Sequence, residues 1–89
     1  MKKDKNLNFQ PNQEEMREVE SLFRLNQLDA LEKTLKNLIK KYSKSFILYN
    51  ILGVCLQKKG LFSDALNAFR EAIDINSSFD HAHNNIGNI

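Results

Sequence analysis

Cysteine, proline and tryptophan are scarce in this 89-residue chain, which has one cysteine, one proline and no tryptophan. A single cysteine cannot form an internal disulfide, which is consistent with a reducing compartment. The longest apolar run, residues 46–49, is far short of the roughly 20 residues that span a bilayer. No apolar stretch follows the lysines at positions 2 and 3, as an export signal would require. We therefore expect a soluble, cytoplasmic protein with no membrane partner.

The motifs of common catalytic and metal sites are also missing. The chain contains no glycine-rich phosphate loop, no HExxH and no CxxC. His81 and His83 are two residues apart, so on one helix their side chains point in nearly opposite directions and cannot share a metal ion. Cys55 lies on an apolar segment and is expected to be a small core residue. The sequence thus predicts no enzyme, no metal site and no cofactor.

Charge is thinly spread along the chain, with a net value of +2 from 13 basic and 11 acidic residues. Residues 1–11 carry +2, residues 12–45 carry +1 and residues 46–89 carry −1. Nucleic-acid binding would need a denser basic stripe with interleaved aromatic residues, so we expect no nucleic-acid partner. Only Leu7 and Phe9 interrupt the polar residues after the first methionine, and we predict a disordered tail over residues 1–11.

What the chain does have is an internal repeat with a period of about 34 residues, a length found in helix-turn-helix arrays. Leu52-Gly53 recurs as Ile86-Gly87 at this interval. Further size-matched pairs at the same interval are Leu22 with Leu56, Leu28 with Phe62, Leu35 with Phe69, Ile39 with Ile73, Ser43 with Ser77, and Asn50 with Asn84. Apolar residues within each copy follow the i, i+3, i+4, i+7 spacing of a helix face. The pattern predicts an all-α fold with helices at residues 12–25, 28–42, 46–58, 62–75 and 80–89.

The most complete copy, residues 46–79, contains a specific arrangement of large and small residues. This arrangement is Tyr49-x2-Leu52-Gly53-x2-Leu56, Ala65-x3-Phe69 and Ala72. It resembles the signature of the tetratricopeptide repeat family, except that an aromatic residue is usual at Leu56 and a proline at Ser77. Residues 12–45 are a degenerate copy, in which Val19 replaces the glycine and Leu31 the alanine, and residues 80–89 begin a third copy. The resemblance implies a helix-turn-helix repeat array, an α-solenoid of about two and a third units.

Several residues have predicted local roles in such an array. Gly53 and Ala65 lack bulk and are expected to let two helices approach closely. Gly60 is predicted to take a positive φ where one helix ends. Ser63 is a candidate N-cap of the helix that follows. Pro11 is placed at the start of the first helix, where its missing N–H costs nothing.

The first helix has an acidic face formed by Glu14, Glu15, Glu18 and Glu20. We expect these carboxylates to pair with Arg17 and Arg24. Met16 and Glu20 stand where chaperone-binding members of the family have lysine and asparagine, so we do not expect the acidic tail of a chaperone as ligand. His83 stands where the family usually has a packed aromatic residue, and we expect it to be partly buried.

In tetratricopeptide arrays, the first helix of each repeat lines the concave face on which peptides bind. The resemblance places the following residues on that face: Ile47, Asn50, Val54, Gln57, Lys58, His81, Asn84, Asn85 and Asn88. Asparagine donates and accepts hydrogen bonds at once, so this row could hold a peptide backbone, although a solvated polar face is the alternative. Asn85 also matches one rung of the asparagine ladder of O-GlcNAc transferase arrays, but Ile51 and Arg17 occupy the equivalent positions. The implied function is a protein–protein interaction module that binds a peptide or partner protein.

The strings at residues 49–53 and 82–88 also resemble bacterial arrays that precede glycosyltransferase or sulfotransferase domains. An alternative function is therefore the N-terminal scaffold part of a larger enzyme. The incomplete third copy leaves Ala82, Ile86 and Ile89 without the helix that would bury them. We expect either a homodimer through the C-terminal helices or frayed residues 80–89.

Overall fold

The computed structural model describes residues 10–88 and consists of five α-helices joined by short turns. The helices are α1 (Gln13–Arg24), α2 (Leu28–Lys41), α3 (Phe46–Lys58), α4 (Phe62–Ile75) and α5 (Asp80–Gly87). Because residues 10–88 contain no strand, the all-α prediction is confirmed for this part of the chain. The predicted tail lies outside the described residues except for Gln10 and Pro11. None of the helices described is long and apolar enough to cross a membrane.

The start of α1 is held by a reciprocal pair of hydrogen bonds that the repeat pattern did not predict. The Glu15 amide donates to the Asn12 side chain at 2.8 Å, and the Asn12 amide donates back to the Glu15 carboxylate at 3.0 Å. This capping box satisfies two N–H groups that have no partner within the helix. Pro11 therefore precedes the cap rather than opening the helix.

The sequence predicted the wrong N-cap for α4 and did not predict the N-cap of α3. The N-cap of α4 is Leu61, without a side-chain hydrogen bond, and Ser63 already lies within the first helical turn. At α3, the N-cap is the buried Ser45, whose hydroxyl accepts a hydrogen bond from the Leu48 amide at 3.2 Å. The same hydroxyl donates to the side chain of Gln10, which ties the segment before α1 to the start of α3.

The turn after α3 has the backbone that its glycine predicts. Gly60 has φ +81°, and Asn26, which stands at the equivalent position of the preceding copy, has φ +58°. Asparagine is the residue after glycine that tolerates this left-handed region best. In both turns, an N–H at the start of the next helix donates to a carbonyl five residues back at 2.9 Å: Gln27 to Leu22, and Leu61 to Leu56. The two helix pairs α1–α2 and α3–α4 are therefore joined by the same turn.

The core is centred on α3, which packs against α2 on one side and α4 on the other. Its fully or nearly fully buried partners across these contacts are Leu31, Leu35, Ala65, Ala68 and Phe69. Because α3 contacts neighbours on two sides, apolar residues occupy most of its circumference, including the buried Cys55. A Cβ built on Gly53 would lie 2.4 Å from the ring of Phe69. The predicted close approach of α3 and α4 at Gly53 is thus confirmed.

Helix α5 is better covered than the sequence predicted. It packs against α4 and α3, and Ala82 is fully buried, so the expectation that this residue lacks a partner is wrong. Ile86 is half-buried, and Ile89 lies outside the described residues. The ring of Phe79, just before α5, contacts the ring of Phe46 edge-on with centroids 4.8 Å apart. The homodimer through α5 stays a prediction.

His83 is exposed, contrary to the expected partial burial. Its Nε2 atom lies 3.0 Å from the carbonyl oxygen of Ser77, in the turn that precedes α5. The imidazole thus folds back over the turn before its own helix instead of entering the core.

Candidate binding groove

An apolar groove runs between α1 and α3, and we call it the α1–α3 groove. Its volume is about 280 Å³, and it is lined by Val19, Glu20, Phe23, Asn50, Ile51 and Val54. Val19 is 1% exposed and belongs to the core, whereas Ile51 and Val54 are half-buried. The groove is therefore continuous with the hydrophobic core, and its walls are side chains on two helices that both pack against α2.

At one end of the groove, a cation lies over an aromatic ring. Phe23 keeps 37% of its surface exposed, so part of the ring is open to contact. The Lys58 ammonium lies 5.6 Å from the centroid of the Phe23 ring. This distance is within the range of a cation–π interaction. The pair brings the ends of α1 and α3 together, and it closes the groove on the side of the helix C-termini.

Asn50, which lines the groove, is paired with a second asparagine side chain. The Asn85 amide nitrogen donates a hydrogen bond to the Asn50 side-chain oxygen at 2.9 Å, linking α5 to α3. A carboxamide has both a donor group and an acceptor oxygen. Once paired in this way, Asn50 presents its amide hydrogens and Asn85 presents its oxygen. Such a pair offers one donor and one acceptor side by side, which is the pattern of a peptide group.

The residues that the resemblance placed on a concave face fall into three groups in the structure. Asn50 and Val54 line the α1–α3 groove, Lys58 closes one end, and Asn85 is bonded to Asn50. Ile47 and Gln57 are half-buried on α3 outside the lining of the groove. The other three, His81, Asn84 and Asn88, are exposed at α5. Of these, His81 contacts the Phe79 ring edge-on with centroids 5.4 Å apart.

Sequence reasoning missed the α1 wall of the groove. Glu20 lies one repeat period before Val54, and Phe23 lies one repeat period before Gln57. Because Val54 and Gln57 were both predicted on the concave face, the same interval would have indicated Glu20 and Phe23. They were missed because the first copy lacks the glycine and alanine that mark the signature. The degenerate copy therefore contributes half of the groove.

A second polar cluster joins α1 to the end of α2. The Tyr42 hydroxyl donates to the Glu15 carboxylate at 2.6 Å, and the Lys41 ammonium lies 3.0 Å from its other oxygen. The hydrogen bond from Tyr42, with those from the Asn12 backbone and Lys41, lowers the pKa of Glu15 to about 2. The sequence predicted that Glu15 would pair with the arginines of its own helix. In the structure it pairs across helices instead.

A third cluster holds the end of α3 against the start of α2. The Lys59 ammonium lies 2.6 Å from Asp29 and 2.7 Å from Glu32, and these hydrogen bonds raise the pKa of Lys59. Beside it, the Cys55 thiol contacts the Leu28 carbonyl oxygen at 3.4 Å. Burial raises the pKa of Cys55, so this cysteine stays a thiol near neutral pH. Both clusters have structural roles, since each ties two helices together.

Residues 10–88 contain no group of three or more histidine, cysteine, aspartate or glutamate side chains placed to hold a metal ion. In comparisons with known proteins, no family model, no curated protein and no solved structure matches this chain. Of the features described, the α1–α3 groove is the one that indicates a function.

Proposed function

We propose that this protein is a helical repeat module of the tetratricopeptide type, which binds a peptide segment of a partner protein in the α1–α3 groove. Three features of the described helices support the repeat architecture. Helices α2 and α4 have the same length and begin one repeat period apart, at Leu28 and Phe62. The turns that precede them share one pattern of backbone hydrogen bonds. Helices α3 and α5 also begin one period apart, at Phe46 and Asp80.

The observation that carries the binding proposal is the partly exposed apolar wall of the groove. Phe23 remains 37% exposed although it stands beside the buried Val19 on α1. Burying apolar surface contributes roughly 25 cal/mol per Å², so an apolar side chain that fills this groove would gain affinity by covering Phe23 and Val54. Concave, mostly apolar sites with a few convergent polar groups are the usual form of ligand sites in proteins.

The ligand that fits best is an extended peptide with an apolar side chain. The side chain enters between Phe23 and Val54, while the peptide backbone exchanges hydrogen bonds with Asn50 and Asn85. Side-chain amides pair with any peptide group, so this contact fixes the position of the backbone without reading its sequence. Selectivity then comes from the shape of the apolar side chain.

A peptide selection followed by mapping tests this proposal. Random peptides displayed on phage are selected on the protein, and the selected peptides are titrated into isotope-labelled protein while amide shifts are followed. We expect selected peptides to share a bulky apolar residue and to shift the amides of Phe23, Asn50 and Val54. Val54→Glu should weaken binding at least tenfold, because the peptide would then desolvate a carboxylate.

Two variants complete this test. Arg70→Ala, at an exposed position of α4 away from the groove, should bind the peptides as the parent does. Asn50→Ala should weaken binding by about 1 kcal/mol, the net value of a neutral hydrogen bond. Peptides that bind without shifting the groove amides, or that bind Val54→Glu unchanged, would show that the α1–α3 groove is not the site.

A further inference from the structure

A second groove lies on the opposite side of α3, between α2 and α4, and we call it the α2–α4 groove. Its volume is about 310 Å³. The α3 residues that line it are Tyr49, Leu52 and Leu56, whereas those of the α1–α3 groove are Asn50, Ile51 and Val54. At about 100° per residue, the two sets are centred about 180° apart around the helix. The two grooves therefore belong to opposite faces of the molecule.

The α2–α4 groove has apolar and aromatic walls. Leu52, Leu56 and Ala68 line it, and each is between 5% and 7% exposed, so only a narrow apolar strip of each reaches the surface. Tyr49 is half-buried beside them. An aliphatic chain laid along this strip would contact methyl groups on one side and a tyrosine ring on the other.

The charged residues around this strip leave it negative. Lys36 is the one cation among the residues that line the groove, and its ammonium is paired with Glu32 at 2.9 Å. Two further carboxylates, Asp64 and Glu71, are exposed on α4 at the other wall. Glu71 lies near enough to Tyr49 to add to the effect of burial, which raises the pKa of this phenol. The groove thus combines an apolar strip, an aromatic ring and an excess of negative charge.

We propose that the α2–α4 groove binds an arginine side chain presented by a second partner-protein segment. The methylene groups of arginine match the apolar strip, and its planar guanidinium can stack on the Tyr49 ring while donating hydrogen bonds to Glu71. Arginine is preferred over lysine because the guanidinium is flat, weakly hydrated and able to donate two parallel hydrogen bonds to one carboxylate.

This interaction is independent of the peptide site in the α1–α3 groove, since the two grooves share no lining residue. A module with both would contact two segments at once, one apolar and one basic. Failure of either proposal would leave the other in place.

The test compares two short blocked peptides that differ in one side-chain group. The first has a single arginine between alanines, and the second has citrulline, which is the same size but uncharged, at that position. Each is titrated at millimolar concentration into isotope-labelled protein. We expect the arginine peptide to give saturable shifts of the amides of Tyr49, Leu52 and Ala68, and the citrulline peptide to give none.

Two variants sharpen the result. Glu71→Gln should weaken the arginine peptide about tenfold, because a charge-assisted hydrogen bond becomes a neutral one. Glu14→Gln, which removes an exposed carboxylate from α1, should leave the affinity unchanged. The proposal is overturned if the arginine peptide gives no saturable shifts, if citrulline binds equally well, or if Glu71→Gln and Glu14→Gln behave alike.

Discussion

The contact between Gly53 and Phe69 makes a sharp prediction for the substitution Gly53→Ala. The new Cβ would lie 2.4, 2.6 and 2.7 Å from three carbons of the Phe69 ring. Favourable contacts between carbon atoms begin near ~3.5 Å, so the ring would have to move by about 1 Å. Phe69 is fully buried between α3 and α4, and it cannot move without displacing its neighbours.

Two effects of opposite sign determine the size of the change. Overpacking a core contact costs about 1–3 kcal/mol. Alanine is a better helix former than glycine by about 1 kcal/mol, which offsets part of this cost. We therefore expect Gly53→Ala to lower the free energy of unfolding by up to about 2 kcal/mol, and at the upper end of this range the melting temperature falls by several degrees in a domain of this size.

Gly87→Ala is the matched control, because a Cβ at Gly87 would meet nothing within 4 Å. Only the gain in helix propensity applies there, so this variant should equal the parent in stability or slightly exceed it. Urea denaturation of the parent and both variants measures the difference. If Gly53→Ala is as stable as Gly87→Ala, the close approach of α3 to α4 is wrong. As a further check, the penalty of Gly53→Ala should shrink when Phe69→Leu is already present, since the two residues are in contact.

Three further predictions concern single residues. The pKa of Glu15 falls from 4.5 to about 2 on folding, so its contribution to stability is complete above pH 4.5 and is lost as the pH falls towards 2. The urea midpoint of Glu15→Gln should therefore depend less on pH over this range than that of the control Glu14→Gln. Gly60→Ala should lower the free energy of thermal unfolding by about 1 kcal/mol, because alanine rarely adopts φ +81°, although a Cβ there would meet no other atom within 4 Å. A variant as stable as the parent would contradict the left-handed turn. Ser45→Ala should lower the free energy of unfolding by about 1 kcal/mol or more, because the Leu48 amide loses the hydroxyl that caps α3. Melting followed by circular dichroism measures this loss, and an unchanged melting temperature would show that the cap is unimportant.

The helices and turns were largely predictable from the sequence. The predicted helices over residues 46–58 and 62–75 agree with α3 and α4, and the others differ by at most two residues at an end within the part of the chain described. This agreement has a local cause, since a helix face is defined by residues three and four apart. Gly60 was assigned correctly for the same reason: a left-handed turn is a property of one residue.

The lining of the α1–α3 groove was only half predictable. Asn50 and Val54 were identified from the best-preserved copy. Phe23 was not identified, and Glu20 was considered only as a departure from the chaperone-binding pattern, because the degenerate copy lacks the glycine and alanine that mark the signature. The prediction for His83 was wrong because the repeat alignment gives the position of a residue on a helix but not what the neighbouring helices leave room for.

By itself, the sequence determined where each helix lies to within two residues, that small residues stand at Gly53 and Ala65, and that the chain turns at Gly60. Each of these depends on backbone conformation or on side-chain size at one position. Only the tertiary structure decided that Glu15 binds Tyr42, which lies 27 residues away, rather than an arginine of its own helix. Ion pairs and amide pairs form between whichever polar groups are brought within hydrogen-bonding distance, and that proximity is set by how the helices pack rather than by their order along the chain.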